Sequence, residues 1–191
     1  MRADALRRRK QILRTSRELF ATHGANVAME SIAEASHVGI GTLYRNFAAR
    51  PELVEEVTLD MLHDVQQAAE HAAEGLSRGE PRAWQEFLDA LIELNLGALS
   101  ESLSLQLPQT ISDRILQPQR AAAQAVSRAL ELAQAANLVR QDLTGHELIT
   151  GIGLATRPLP RAFASAAPGI GPRLTRIMLD GMLPNPAKGN S

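Results

Sequence analysis

Hydrogen-bonding side chains suited to an anionic partner are concentrated in a ten-residue stretch of the first quarter of the chain. This stretch reads V-G-I-G-T-L-Y-R-N-F at positions 38–47 and includes the chain's only tyrosine. A hydroxyl, a phenol, a guanidinium and an amide follow one another in it, and such groups commonly bond phosphate oxygens. Two glycines weaken a helix that the flanking residues otherwise favour. The six residues concerned are Gly39, Gly41, Thr42, Tyr44, Arg45 and Asn46.

The residue types that carry out catalysis in enzymes do not form a recognisable pattern in this sequence. The chain has no cysteine, which excludes disulfides, thiolate catalysis and Cys-ligated zinc. The histidines and acids show no spacing that builds a metal site or pairs a nucleophile with a base. We therefore expect no enzyme, no cofactor and no bound metal.

The charge distribution separates the first 50 residues from the rest. They contain nine Lys and Arg against four acids, a net charge of +5, whereas the remaining 11 basic and 17 acidic residues give −6. A basic segment joined to an acidic remainder is typical of a polyanion-binding module attached to a part with another role. A solvated basic tail is the alternative interpretation of the charge alone.

Composition predicts an all-α protein. Leu, Ala, Glu, Arg and Gln dominate, aromatic residues make up 3%, and no long alternating segment rich in Val, Ile and Thr occurs. No apolar run approaches the roughly 20 residues of a membrane span, and the N-terminus lacks the apolar segment of a signal peptide. We expect a soluble cytoplasmic protein with no membrane partner.

Three helices must position the polar stretch. The first is predicted from about Ala5 to His23, with an apolar face that includes Leu6, and ends at Gly24. A second is expected from about Met29 to Ser36 and a third from Gly39 or Ile40 to Phe47. Two short helices joined by so tight a turn predict a tri-helical helix-turn-helix. An αα-hairpin without a ligand has the same helix pattern.

A helical bundle is predicted after this head. A long connecting helix is expected from Pro51 to about residue 74, followed by helices near 82–100, 119–137, 143–156 and 170–183, with Pro108 and Pro118 bracketing a broken segment. The predicted domains are a helix-turn-helix head at residues 1–50 and a C-terminal helical domain at 51–184. Residues 185–191 are expected to form a flexible tail.

Residues 31–53, S-I-A-E-A-S-H-V-G-I-G-T-L-Y-R-N-F-A-A-R-P-E-L, resemble the N-terminal domain of the tetracycline-repressor (TetR) family of bacterial transcription regulators. The match is specific over about residues 8–60 and only architectural beyond them. The resemblance implies a homodimeric repressor whose heads bind a double-stranded DNA operator and whose C-terminal domains bind a small effector. It also implies a four-helix dimer interface built from the last two helices of each chain.

Within this resemblance, each residue of the stretch acquires an expected role at the major groove. Gly39 and Gly41 allow close approach of the backbone, and Ile40 has only apolar base contact open to it. Glu30 either accepts from cytosine or is simply exposed. Arg8 and Lys10, in the arm R-R-R-K at residues 7–10, bind phosphate, enter a minor groove or form a solvated helix start. The expected phosphate-binding residues are Thr42, Tyr44, Arg45, Asn46 and Arg50.

Three residues depart from the family pattern in the head, and one of them, Asn46, replaces a frequent His. His37 replaces the usual glycine at a position expected to need a positive φ, which His tolerates better than most residues. Ala28 replaces the usual Ser or Thr at the N-cap of the second helix, so that a capping hydrogen bond of roughly 1 kcal/mol is expected to be missing.

The C-terminal domain carries weaker signals. A pocket for a small apolar effector is predicted from Met61, Trp84, Leu88, Leu91 and Asn95, with Asn95 expected on the buried face of its helix, where it either orients a ligand or bonds a neighbouring helix. The dimer interface is predicted from Ile149, Ile152, Leu174, Ile177 and Met178, with packing inside one chain as the alternative. A domain that docks a protein partner instead of a small ligand is the alternative function.

Overall fold

The computed structural model describes residues 2–24, 26–99, 113–158, 165 and 167–184. Every helix with defined bounds in these ranges is an α-helix, in agreement with the predicted all-α class. In chain order the helices are α1 (Arg2–His23), α2 (Met29–Ala35), α3 (Ile40–Asn46), α4 (Arg50–Ser77), α5 (Arg82–Glu93), α6 (Asp113–Ala135), α7 (Gly145–Ala155) and α8 (Ile170–Gly181). The predicted tail at 185–191 and the predicted break at Pro108 lie outside the described residues.

The chain divides into two compact units. Unit 1 comprises Met1–Leu62 and Ala98–Pro118, and unit 2 comprises His63–Gly97 and Gln119–Ser191. Helices α4 and α6 each begin in unit 1 and continue in unit 2. The assignment of DNA binding to residues 1–50 and of effector binding to residues 51–184 stays a prediction.

Unit 1 is built around apolar side chains that recur at helical spacing. α1 packs on α2, and α2 packs on α3. The side chains of Ile12, Phe20, Ile32, Leu43, Phe47, Leu53 and Val57 have no exposed surface. Leu6, predicted on the apolar face of α1, is instead 58% exposed because that end of the helix extends beyond the core residues. The core therefore begins about one and a half turns later than the sequence pattern indicates.

The start of α4 differs slightly from the prediction. The first helical residue is Arg50, so Pro51 occupies the second position, where its missing N–H still has no intrahelical partner to lose. The carboxylate of Glu52 accepts a hydrogen bond from the backbone N–H of Ala48 at 2.7 Å. This bond secures the short connection between α3 and α4.

In unit 2, α5 ends seven residues earlier than predicted. After Glu93 the chain turns, and Asn95 adopts φ of 51° with an exposed side chain. The prediction that Asn95 lies on the buried face with Trp84, Leu88 and Leu91 is therefore wrong, because the helical register does not continue to it. The turn brings Gly97 so close to α7 that an added Cβ would overlap the carbonyl oxygen of Gly153.

α6 begins at Asp113, before Pro118 and not after it. The proline removes one N–H, whose helical partner would have been the carbonyl of Arg114. Because this loss falls in the second turn, the helix persists on both sides of Pro118. The prediction of a helix beginning at Gln119 was therefore too short.

α7 begins with a capping box that explains its sharp start. The hydroxyl of Thr144 accepts from the N–H of Glu147 at 3.2 Å, and the Glu147 carboxylate accepts from the N–H of Thr144 at 2.9 Å. These bonds from Thr144 lower the pKa of Glu147 below its ordinary value. α7 then packs against α8.

Candidate nucleic-acid interface

The turn between α2 and α3 is closed by a Schellman motif. The N–H of Val38 donates to the carbonyl of Ala33 at 3.0 Å, and the N–H of His37 donates to that of Glu34 at 3.0 Å. His37 takes φ of 54°, as predicted from its replacement of glycine. From α1, Gln11 donates to the carbonyl of Ser36 at 3.0 Å and ties the turn to the first helix.

Helix α3 has one buried side and one open side. Leu43 and Phe47 have no exposed surface and anchor the helix from within, as predicted. On the outside, Tyr44 is 45% exposed and Ile40 is 39% exposed. A Cβ added at Gly39 or Gly41 would meet no other atom within 4 Å. Packing inside the protein therefore does not require either glycine, and their backbone is accessible from outside.

Intrahelical hydrogen bonds order the polar side chains of α3. The Nε of Arg45 donates to the carbonyl of Gly41 at 3.1 Å, and its Nη2 donates to the Thr42 hydroxyl at 2.9 Å. The side-chain amide of Asn46 donates to the Thr42 carbonyl at 2.8 Å. Arg45 is exposed, so its guanidinium lies along the open side with donors left for another acceptor.

The remaining predicted DNA-binding residues lie around this helix in unit 1. Glu30 is exposed on α2, and Arg8 and Lys10 are exposed on α1. Arg50 is half-buried, and its Nη2 donates to the carbonyl of Val27. This bond uses one of its five donors and fixes the side chain beside the α1–α2 connection.

The run R-R-R-K is not an extended arm. Residues 7–10 are helical within α1, and Arg7 pairs with Asp4 at 2.5 Å, a bond that lowers the pKa of the Asp4 carboxyl. Of the three expectations for this run, the helix start agrees with its conformation. The helix exposes Arg8 and Lys10 to solvent, and their contacts with DNA stay a prediction.

Sequence reasoning missed the role of Arg9. Its guanidinium donates to the carbonyl of Asn46 at 2.8 Å and to the carboxylate of Glu56 at 2.6 Å, and it lies 4.4 Å from the centroid of the Phe47 ring. The inward direction of Arg9 could have been predicted, because it lies three residues before Ile12 and four before Leu13 and so shares their face of the helix. Its neighbours Arg8 and Lys10 point outward.

Of the residues predicted for the effector pocket, Asn95 lines an open groove and the others are buried. Trp84, Leu88 and Leu91 are buried in unit 2, where the rings of Trp84 and Phe87 lie 5.5 Å apart, and Met61 is buried in unit 1. An open groove of about 630 Å³ instead lies on the outer side of α5, bounded by the end of α7 and by α8. Its polar lining includes Gln85, Asp89, Asn95, Arg157, Arg176 and Asp180, and we call it the α5–α8 groove.

The predicted dimer residues separate into exposed, half-buried and fully buried side chains. Leu174 and Ile177 are exposed on α8, and Leu154 is exposed on α7. Ile152 is fully buried within its own chain, so its assignment to the interface is wrong. Ile149 and Met178 are half-buried, and a Cβ at Gly151 would lie 3.3 Å from the sulfur of Met178. Gly151 therefore serves the packing of α7 on α8 within one chain.

The described residues contain neither a candidate metal site nor a candidate membrane span. No group of three or more His, Asp or Glu side chains in this part of the chain is placed to hold a metal ion. Among the described helices, none is both long enough and apolar enough to cross a bilayer.

Comparisons with known proteins agree with this geometry. Residues 12–57, which include α2, the turn and α3, match the sequence model of the bacterial regulatory proteins of the tetR family. A TetR transcription regulatory protein from Mycobacterium vanbaalenii is 25% identical, covers 95% of this chain and 98% of its own, and superposes with a TM-score of 0.63. A TetR transcriptional regulator from Streptomyces coelicolor, 22% identical, covers 93% and 99% with a TM-score of 0.61.

No protein with a curated description matches the chain. The matched segment nevertheless coincides with the helix-turn-helix, and the fold of the compared regulators extends over nearly the whole chain. Residues 12–57 therefore form the N-terminal, DNA-binding helix-turn-helix domain of the tetR family of bacterial regulatory proteins, and the whole chain is similar in fold to TetR regulators.

Proposed function

We propose that the protein is a homodimeric transcriptional repressor that binds a near-palindromic operator through α3 and leaves it when a small effector binds. The observation that carries the DNA-binding part is the open side of α3. The empty space above Gly39 and Gly41 lets a duplex approach the backbone, and hydrogen-bonding side chains lie beside that space. A regulator of this kind acts on chromosomal DNA in the bacterial cytoplasm.

Most contacts of α3 are proposed to position the helix and few to read bases. Thr42, Tyr44, Arg45 and Asn46 bond phosphate oxygens, and Arg8, Lys10 and Arg50 add contacts outside the groove. Ile40 offers an apolar contact to a thymine methyl group. Glu30 accepts from cytosine N4 or stays exposed. Because few side chains read bases directly, the shape of the DNA is expected to contribute to specificity.

The second copy of the chain is proposed to dock on α7 and α8. Leu154, Leu174 and Ile177 are large apolar side chains left exposed on these two adjacent helices. When two copies of the chain pair through these faces about a two-fold axis, the apolar side chains become buried, as a homodimer requires. The two α3 helices then meet successive major grooves roughly 34 to 36 Å apart, or a longer distance matched to the operator.

The α5–α8 groove is the proposed effector site. Its volume of about 630 Å³ falls in the range of small-ligand sites. The lining combines Asp89 and Asp180 with Arg157 and Arg176, so it suits a molecule with polar groups better than the moderately apolar effector that the sequence suggested. Release from DNA needs the effector to prefer the non-binding conformation, and a coupling of about 1 to 3 kcal/mol changes operator affinity some 5- to 150-fold.

A salt titration of DNA binding tests the role of α3. The probe is the duplex that the wild-type protein enriches from a random-sequence pool. Arg45→Ala is expected to lower the slope of log affinity against log salt by about one unit, whereas Tyr44→Ala weakens binding with little change of slope. Arg82→Ala, which removes an exposed arginine from α5, is the matched control and is expected to change neither quantity.

The outcomes separate the parts of the proposal. Unchanged affinity in the Tyr44 variant contradicts the assignment of α3, and failure of the wild-type protein to enrich any duplex contradicts operator binding itself. A thermal-shift screen against small molecules tests the effector, since a bound ligand must raise stability. A protein partner docked in the α5–α8 groove is the alternative, and it predicts no stabilising small molecule.

A further inference from the structure

The C-terminal end of α3 is held by a side chain from another helix. α3 has only seven residues, too few for a helix to be stable without tertiary contacts. Its last carbonyl, that of Asn46, accepts a hydrogen bond from Nη1 of Arg9 at 2.8 Å. A cation at this end also interacts favourably with the helix dipole. Arg9 thus caps the DNA-facing helix at its C-terminus.

The Arg9 guanidinium is fixed on three sides. Besides the Asn46 carbonyl, it lies over the Phe47 ring at 4.4 Å, and its Nη2 pairs with Oε2 of Glu56 at 2.6 Å. Each contact uses a different part of the planar fork, which a lysine ammonium cannot reproduce. The side chain is 31% exposed, so these contacts are made in a partly desolvated position.

Glu56 connects Arg9 to the first turn of α6. Its second oxygen, Oε1, accepts from Nη2 of Arg114 at 2.6 Å, and Nη1 of Arg114 pairs with Glu55 at 2.8 Å. Burial raises the pKa of the Glu56 carboxyl, but the bonds from Arg114 and Arg9 outweigh it and lower the pKa below its ordinary value. Both carboxylate oxygens are therefore engaged, one by each arginine.

We propose that Arg9, Glu56 and Arg114 form a positioning chain that sets the C-terminal end of α3 and makes its position depend on the first turn of α6. The proposal rests on the proposed role of α3 at DNA. All three residues lie in unit 1, and both α4 and α6 continue from there into unit 2. A shift of Arg114 removes one of the two cations that orient the Glu56 carboxylate, and Arg9 then loses its fixed partner.

The positioning chain predicts that Arg114, which pairs with Glu55 and Glu56 on α4, affects the environment of α3. The only tyrosine of the protein is Tyr44, so 3-fluorotyrosine labelling places a single fluorine on this helix. In ¹⁹F NMR of the full-length protein without DNA, the Arg9→Ala, Glu56→Gln and Arg114→Ala variants are expected to shift this resonance. Arg82→Ala, which also breaks an exposed pair with a glutamate, is expected to leave it unchanged.

Measurements of DNA binding then distinguish a positioning role of Arg9 from a direct contact of Arg9 with phosphate. Arg9→Ala is expected to weaken binding of the selected duplex about tenfold with an unchanged salt slope, because no phosphate contact is lost. Arg9→Lys keeps the charge but not the fork and is expected to recover only part of the affinity. Ile12→Val lowers stability in the same unit but leaves Arg9, Glu56 and Arg114 unchanged, so it is expected to bind DNA like the wild type.

A double variant completes the test. Arg9→Ala combined with Arg114→Ala is expected to weaken binding by less than the product of the single effects, since both act through one carboxylate. The proposal is overturned if Arg114→Ala leaves both the fluorine resonance and DNA affinity unchanged, or if Arg9→Ala lowers the salt slope by about one unit. The NMR arm needs no DNA, so failure of operator binding would leave it interpretable.

Discussion

At the scale of single residues, the head combines one strained position with several unobstructed ones. His37 holds a left-handed conformation that most side chains avoid, and it does so because the Schellman motif needs that geometry after α2. Gly39 and Gly41, by contrast, are not in left-handed conformations and face open space. The chain's own turn therefore accounts for His37, whereas the two glycines have no packing role and are assigned to the proposed contact with DNA.

Replacing His37 with glycine is expected to stabilise the protein. Glycine adopts the left-handed conformation without the clash of a Cβ, so the free energy of unfolding should rise by up to about 1 kcal/mol. Ala35→Gly, two residues earlier in helical backbone, should lower it by about 0.5–1 kcal/mol. Urea unfolding of both variants checks the pair, and a destabilised His37→Gly protein would contradict the account of the turn.

At the scale of helices, apolar spacing was a reliable guide and helix ends were not. The inward faces of α2 and α3 were predicted from Ile32, Leu43 and Phe47, because burial follows the 3.6-residue period. The end of α5 was missed because no proline or glycine marks it before Gly97, and the chain turns instead through Asn95 in a left-handed conformation. Pro118 caused the opposite error. The helix was predicted to begin after it, but a proline near a helix start removes only one hydrogen bond, and α6 includes it.

The candidate site likewise has one part that could be predicted from the sequence and another that could not. The outward residues of α3 could be predicted because a short helix with a known buried side leaves the rest exposed. The chain from Arg9 to Arg114 could not be predicted, because it joins residues 105 positions apart through contacts that only the packing of α1, α4 and α6 creates. The α5–α8 groove depends equally on where α5 ends.

The ion pairs of Glu56 predict a pH dependence of stability. Since its pKa is lowered in the folded protein, the carboxylate stabilises the fold above its ordinary pKa of 4.5, and this contribution is lost as pH falls through the lower folded pKa. Glu56→Gln should therefore cost about 1–2 kcal/mol near pH 7, and the difference from wild type should shrink in acid. Urea unfolding over a pH series measures this.

Glu86→Gln is the control for this measurement. Glu86 pairs with Arg82 on the surface, with both side chains largely exposed, so its removal should change stability by no more than about 0.5 kcal/mol. A Glu56→Gln penalty that stays constant down to pH 3 would count against the paired carboxylate as its source.

At the scale of the whole molecule, the proposed dimer makes a separate prediction. Ile177 is 56% exposed on α8, so Ile177→Asp should leave the folded chain intact while placing a charge in the interface. Size-exclusion chromatography with light scattering should find the wild type as a dimer and the variant as a monomer with weaker operator binding. Leu6→Asp, at a similarly exposed apolar residue of α1, should remain dimeric; a monomeric wild type would refute the interface.

If α3 meets DNA with its open glycine side, the Gly41→Ala variant should lose DNA affinity without losing stability. An added methyl meets nothing inside the protein and removes a glycine from a helix, so thermal stability should stay equal or rise, by up to about 1 kcal/mol. The same methyl stands where the duplex must approach. Gly171→Ala, the same second position of α8 with equally open space, is the control, and it is measured without effector because Gly171 lines the α5–α8 groove.

Fluorescence anisotropy with the selected duplex gives the decisive comparison among wild type, Gly41→Ala and Gly171→Ala. We predict that Gly41→Ala loses affinity about tenfold or more while remaining folded, and that Gly171→Ala binds like the wild type. A folded Gly41→Ala protein that binds DNA with wild-type affinity would contradict the proposal that this side of α3 faces the duplex.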